Sequence, residues 1–123
     1  MMSPPSILVV DDDEDLLFVV HLVLKKLGYQ VDILSDCTKF FDLLRDKLPP
    51  DLIILDINLG PCDERNLCSQ VKQVSHLQHI PIVLYSSDRF DNSICGNSQA
   101  ACFIQKPFTI EHFQGKIGEL LRI

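Results

Sequence analysis

The chain has 123 residues, 46% of them hydrophobic, and a net charge of -6 from 17 acidic and 11 basic side chains. That length suits one globular domain, able to bury roughly two thirds of the surface its unfolded chain exposes without a disulfide or structural metal. No stretch approaches the ~20 apolar residues of a membrane helix, residues 1–6 lack the regions of a signal peptide, and no Lys/Arg cluster is present to displace phosphate counterions. The expectation is a cytoplasmic domain that meets neither membrane nor nucleic acid directly. The five cysteines, Cys37, Cys62, Cys68, Cys95 and Cys102, are odd in number and lack C-x2-C pairs, so they are read as reduced, packed thiols, which also points to the cytosol.

Residues 1–5 read as a frayed tail and residues 6–123 as one domain without linker or repeat. Ile7-Leu8-Val9-Val10 is a continuously apolar strand, covered on both faces, that stops at Asp11-Asp12-Asp13-Glu14-Asp15. The following helix carries Leu16, Val20, Val23 and Leu27 along one side, with acids at its start, Lys25-Lys26 in its last turn and Gly28 as its stop. Tyr29, Val31 and Ile33 alternate with polar residues, as in an edge or half-covered strand. Phe40, Phe41, Leu44 and Leu48 predict a helix closed by Pro49-Pro50.

Leu52-Ile53-Ile54-Leu55 is again a fully apolar strand, ending in Asp56. Leu67, Val71 and Val74 mark the next helix, and Pro81 opens a strand, Ile82-Val83-Leu84-Tyr85, that ends in Ser86-Ser87. Residues 88–99 should hold a short or mobile helix, since most of them are poor helix formers. Cys102-Phe103-Ile104 is a last short strand, followed by Lys106-Pro107. With Thr109 as N-cap, Phe113, Ile117 and Leu120 form the stripe of a closing helix. Five strands alternating with helices predict an α/β, doubly wound, five-stranded parallel sheet with right-handed crossovers and helices on both faces, a three-layer α/β/α arrangement.

In such a sheet, ligands sit at the carboxyl ends of the strands near the point where strand order reverses. Those ends carry Asp11 and Asp12, Asp56, Ser86 and Lys106. Three carboxylates brought together repel one another unless a cation joins them, which implies a hard divalent ion with oxygen ligands, magnesium or manganese. A carboxylate can also act as a nucleophile on phosphorus, provided the charge on the phosphoryl oxygens is neutralised. The metal, the Lys106 ammonium and the Ser86 hydroxyl are each suited to part of that task.

In order and spacing, Ile7 to Asp12, Asp56 closing its strand, Pro81 to Ser86 and Phe103-Ile104-Gln105-Lys106-Pro107-Phe108 resemble the receiver domains of two-component response regulators, over nearly the whole chain. The resemblance implies a flavodoxin-like, CheY-like receiver fold with Asp56 as phosphoacceptor. It also implies Asp11, Asp12 and Asp56 as metal ligands, the backbone carbonyl of Asn58 as a fourth protein contact to the ion, and Lys106 as partner of the phosphoryl oxygens. Ser86 and Phe103 take the places of the two switch residues, Asn58 and Asp88 line the route of an attacking water, and the Lys106-Pro107 bond is expected to be cis. A sensor histidine kinase or histidine phosphotransfer protein is the implied donor, and an unidentified downstream protein or output domain the implied target, with homodimer formation as an option. After Asp56 the chain reads Ile57-Asn58-Leu59-Gly60-Pro61, with Glu64 where the family has Gly, which predicts a loop with its own path.

Taken singly, each element has a plainer reading: an acidic helix cap for Asp11 to Asp15, a turn aspartate for Asp56, a surface lysine for Lys106 and a loop start for Ser86. Their joint occurrence at successive strand ends carries the functional reading. Two functions compete: a docking module that keeps the fold with phosphorylation lost or weak, and a phosphohydrolase with an aspartyl-phosphate intermediate. The second needs a cap or larger core, and Asp56 follows the third strand where such enzymes use the first. The domain is therefore expected to phosphorylate and dephosphorylate in cis without being a turnover enzyme. A flavin-binding reading fails for want of a phosphate-binding loop after the first strand.

Overall fold

The computed structural model describes residues 4–46, 48–56, 58–59, 61–86, 102–105 and 109–121. The main sheet contains β1 (Ser6–Val10), β2 (Gln30–Leu34), β3 (Leu52–Asp56), β6 (Ile82–Ser86) and β7 (Cys102–Gln105), in the order β2-β1-β3-β6-β7. Every pairing within it is parallel. Two further strands, β4 (Asn58–Leu59) and β5 (Cys62–Asp63), form a small antiparallel hairpin just after β3. The helices are α1 (Glu14–Lys26), α2 (Phe40–Asp46), α3 (Glu64–Gln73) and α4 (Ile110–Leu121), with a 3-10 turn at Cys37–Lys39 leading into α2.

Because side chains alternate along a strand, the central strands feed two cores at once. Ile7, Val9, Ile54, Val83 and Tyr85 pack with Leu17, Val20 and Leu24 of α1 and Phe113 and Ile117 of α4. Leu8, Val10, Ile53, Leu55 and Leu84 face the other way, onto Cys37, Phe40 and Leu44 and onto Leu67, Cys68 and Val71 of α3. The sheet is thus covered on both faces, the three-layer arrangement read from the apolar strand runs. Strand β2 lies at the edge, one of the two positions its alternating sequence allowed, and Ile33 of its apolar side is exposed.

The helix ends follow from local chemistry. The Asp13 carboxylate accepts from the Leu16 amide at 3.2 Å, capping α1. At the other end Gly28, at φ 98°, lets its own amide reach the Lys25 carbonyl and the Tyr29 amide reach that of Leu24. This pair of bonds is a Schellman stop that a residue with a Cβ enters only with strain. The Thr109 hydroxyl accepts from the His112 amide at 3.0 Å, the expected cap of α4.

Three expectations need correction. The buried stripe of α1 is Leu17, Val20 and Leu24, with Leu16 and Leu27 only half-buried against the same core. The phase of a helix is fixed by the surface it lies on, and a run as apolar as Leu16-Leu17-Phe18-Val19-Val20 permits more than one. Leu48 stands 92% exposed beyond α2, which ends before Pro49-Pro50 at Asp46. Finally, Cys37 and Cys62 form a disulfide, so the reading of the cysteines as reduced thiols does not hold for this pair. Their separation of 25 residues gave no sign of it, because only the sheet order brings the two loops together. The helix expected within residues 88–99 lies outside the described residues.

The phase of α1 is directly testable. Leu17→Ala should cost about 2–5 kcal/mol in urea denaturation, because it opens a cavity under the sheet. The neighbouring Phe18→Ala, at a position 60% exposed, should stay within about 0.5 kcal/mol of wild type.

Candidate functional site

The site is assembled by strand register. Val10 lies opposite Leu55 in the central pair, so the residues that follow, Asp11 and Asp56, leave the sheet side by side at its carboxyl edge. The chain turns to opposite faces after these two strands: β1 leads to α1 over one core and β3 to α3 over the other. That divergence opens the crevice in which a doubly wound sheet binds its ligands.

Asp11, Asp12 and Asp56 each present a carboxylate oxygen within 4.8 Å of the others. Asp11 and Asp56 are buried and Asp12 is exposed, so the cluster has a closed floor and an open rim. An all-oxygen donor set with three negative charges fits a hard divalent cation, and repulsion among the acids is relieved when one binds. Residues and group therefore match on the chemistry of the donors.

Asp11 is held firmly. Its backbone amide donates to the Leu34 carbonyl at 3.1 Å, one carboxylate oxygen accepts from the Asp13 amide at 2.9 Å, and the other accepts from the Tyr85 hydroxyl at 2.6 Å. Tyr85 is fully buried and lies opposite Asp56 in the β3–β6 register. Burial, then the hydrogen bond to Asp11 and the nearby charges of Asp11, Asp56 and Asp13, push its phenol far above the ordinary range. It is therefore a neutral donor at all working pH values, orienting a carboxylate whose negative charge the fold must accommodate.

Sequence reading did not single out Tyr85. The available signal was parity: Asp11, Asp56 and Tyr85 all follow residues that face the α3 side, so all three turn to the α1 side. A tyrosine near the end of a buried strand also needs a partner for its hydroxyl.

The remaining expected site residues are placed less fully. Asn58 lies in β4, opposite Asp63 across the hairpin. Ser86 ends β6 one residue beyond Tyr85, and Phe103 lies in β7 opposite Leu84. Gln105 ends β7 opposite Ser86. Lys106, Pro107 and Asp88 lie outside the described residues.

Residues 7–118 match the model of the response regulator receiver domain. Over 120 residues the chain is 34% identical to the transcriptional regulatory protein YxdJ of Bacillus subtilis, covering 95% of this chain and 50% of that protein. It is 31% identical over 120 residues to the DNA-binding dual master transcriptional regulator RpaA of Synechocystis sp., covering 96% and 49%. The chain thus spans about half the length of these curated relatives. A two-component response regulator from Clostridium difficile superposes with a TM-score of 0.84 at 27% identity, covering 96% of each chain. The response regulator TrrA from Thermotoga maritima, solved in complex with Mg(2+)-BeF, shares the fold with a TM-score of 0.84 at 21% identity, covering 95% of this chain and 99% of that one. The chain belongs to the receiver-domain family of two-component response regulators.

Tyr85→Phe keeps the ring and removes only the hydroxyl, leaving a buried carboxylate oxygen of Asp11 without this donor. A loss of about 1–3 kcal/mol is expected in urea denaturation at neutral pH. The folded protein keeps the phenolic proton beyond the point where the unfolded chain releases it. The stability that Tyr85 contributes is therefore complete below about pH 10 and declines as the pH rises further. The gap between wild type and variant should narrow over that alkaline range.

Proposed function

We propose that Asp56 accepts a phosphoryl group, with magnesium or manganese held by Asp11, Asp12, Asp56 and the Asn58 backbone carbonyl, and that this chemistry switches the domain between signalling states. The observation that carries the reading is the convergence of three carboxylates at the carboxyl edge of β1 and β3, two of them buried, in a member of the receiver family. The Mg(2+)-BeF complex of the Thermotoga maritima response regulator supports magnesium as the ion.

Asp56 ends a strand with both neighbours paired, so its carboxylate is fixed at the crevice floor and loses little freedom on reaction. An Asp56 oxygen attacks phosphorus as the bond to the donor breaks. With a phosphohistidine donor the phosphorus–nitrogen bond is lost, the imidazole leaves, and an acyl phosphate forms on Asp56. The bound divalent ion supplies neutralisation of the charge on the phosphoryl oxygens. Asp11 stays oriented by Tyr85 and by the Asp13 amide, while Asp12, at the open rim, is the ligand most easily reached from solvent. Lys106 is assigned the remaining phosphoryl charge, Ser86 a hydrogen bond to it, and Phe103 the rotamer change that passes the event to the surface.

Residues 6–123 constitute the receiver unit. Its donor is a sensor histidine kinase or a histidine phosphotransfer protein, and its target a downstream protein or an output domain. The transcriptional regulators YxdJ and RpaA, among its relatives, favour an output step in gene control. The domain acts on its own carboxylate and so does not turn over an external substrate. Its setting is the cytoplasm, where such donors act; among the described residues no helix is long and apolar enough to cross a membrane.

Labelling with acetyl phosphate and magnesium tests the assignment. Wild type should take up the phosphoryl group, and Asp56→Asn should not. Uptake by Asp56→Asn at the wild-type level would sink the assignment. In parallel, amide NMR should register magnesium and then beryllofluoride, with shifts centred on Asp12, Asp56, Ser86 and Lys106 and reaching Phe103. A spectrum indifferent to both would redirect the function to a docking module.

A further inference from the structure

The hairpin after the phosphoacceptor is the smallest strand pairing in the fold, with Cys62 packed against the core. β4 and β5 are two residues each and, among the described residues, pair with one another and with no other strand. An isolated two-stranded hairpin is marginal in water, so ordering it around a ligand carries an entropic cost. Yet Asn58, proposed to offer its carbonyl to the metal, lies in this hairpin, opposite Asp63. The neighbouring pair across it is Leu59 and Cys62.

Cys62 is bonded to Cys37, which stands between the end of β2 and α2. Their Cα atoms are 6.3 Å apart, within the span a disulfide bridges. Since β1 lies between β2 and β3, the bond ties together the loops on either side of the strand that leads into Asp11 and Asp12. Cys37 is buried and Cys62 half-buried, which makes Cys62 the thiol reached first from solvent when the pair is reduced. In a cytoplasmic domain, glutathione and thioredoxin open most disulfides, and those that form are mainly transient or redox-sensing.

We propose that Cys37 and Cys62 are a reversible thiol–disulfide site whose oxidation pins the hairpin after Asp56 and so strengthens magnesium binding and phosphoryl uptake at the acid cluster. The inference rests on the reading of Asp56 as phosphoacceptor and of the Asn58 carbonyl as metal ligand. The oxidant is a low-molecular-mass disulfide. The Cys62 thiolate attacks one of its sulfurs, giving a mixed disulfide and releasing one thiol. The Cys37 thiolate then attacks the Cys62 sulfur, the protein disulfide forms, and the second thiol leaves. Two protein thiols are oxidised as one small disulfide is reduced to two thiols. In the oxidised form the hairpin is ordered before the metal arrives, so binding no longer carries that cost.

The test compares the full chain equilibrated with oxidised glutathione and with dithiothreitol. Alkylation and peptide mass mapping should find Cys37 joined to Cys62 in the first and both thiols alkylated in the second. In the metal-free protein, amide exchange of residues 58–63 should be slower in the oxidised form. Magnesium affinity by calorimetry should be about fivefold higher, and initial labelling by acetyl phosphate at subsaturating magnesium should rise in step. Cys62→Ser should behave as the reduced form in either buffer. Absence of the bond under oxidation overturns the proposal. A bond that forms but leaves exchange, magnesium affinity and labelling unchanged overturns the clasp and leaves the role of Asp56 intact. Absence of label from both forms overturns the phosphoacceptor reading and, with it, the inference.

Discussion

Holding three carboxylates together at the end of a hydrophobic sheet is the constraint on which the rest of this structure depends. Asp11 and Asp56 are buried, so neither can turn away into water to relieve its repulsion from the other. Their position is tolerable only because the backbone beneath them is rigid and because donors are built around Asp11. The two central strands, β1 and β3, are apolar along nearly their whole length and are packed on both faces. That packing sets the register which brings Asp11 and Asp56 level, and an error of one residue would send one of the acids to the opposite face.

The same alternation determines the surroundings of the cluster. Tyr85 shares the α1 side with the two buried acids and adds a neutral hydroxyl donor where a lysine or arginine would neutralise the site permanently. A neutral donor stabilises Asp11 while leaving the negative charge of the cluster available to a cation. The other face of the sheet carries the loops joined by Cys37 and Cys62, so the two faces contribute different things to one edge: an oriented carboxylate from one, a tethered hairpin from the other.

Two further features surround the acid cluster and act on the same edge of the sheet. One is the tyrosine under Asp11, and the other is the disulfide across the neighbouring loops. Both act on the floor and wall of the crevice without supplying a reacting atom. They bear on how firmly the site is held, and therefore on how readily it is charged.

Much of this was legible in the sequence because it depends on local chemistry. Apolar runs of four that stop at an acid define buried strands and place Asp11, Asp12 and Asp56 at their ends. Asp13, Gly28 and Thr109 set helix boundaries by bonding to backbone a few residues away. The alternating pattern of β2 narrowed it to an edge or half-covered place, and the sheet puts it at the edge. What the sequence could not decide depends on the alignment of segments far apart in the chain. The phase of α1, with Leu17 inward and Phe18 outward, is set by the sheet it lies on. The Tyr85 to Asp11 bond joins residues 74 apart, and the Cys37 to Cys62 bond joins two loops that meet only once β2, β1 and β3 lie in order. Local propensity acts over a few residues, whereas strand register and sheet order are fixed by the packing of the whole domain, and only the folded chain brings such pairs within bonding distance.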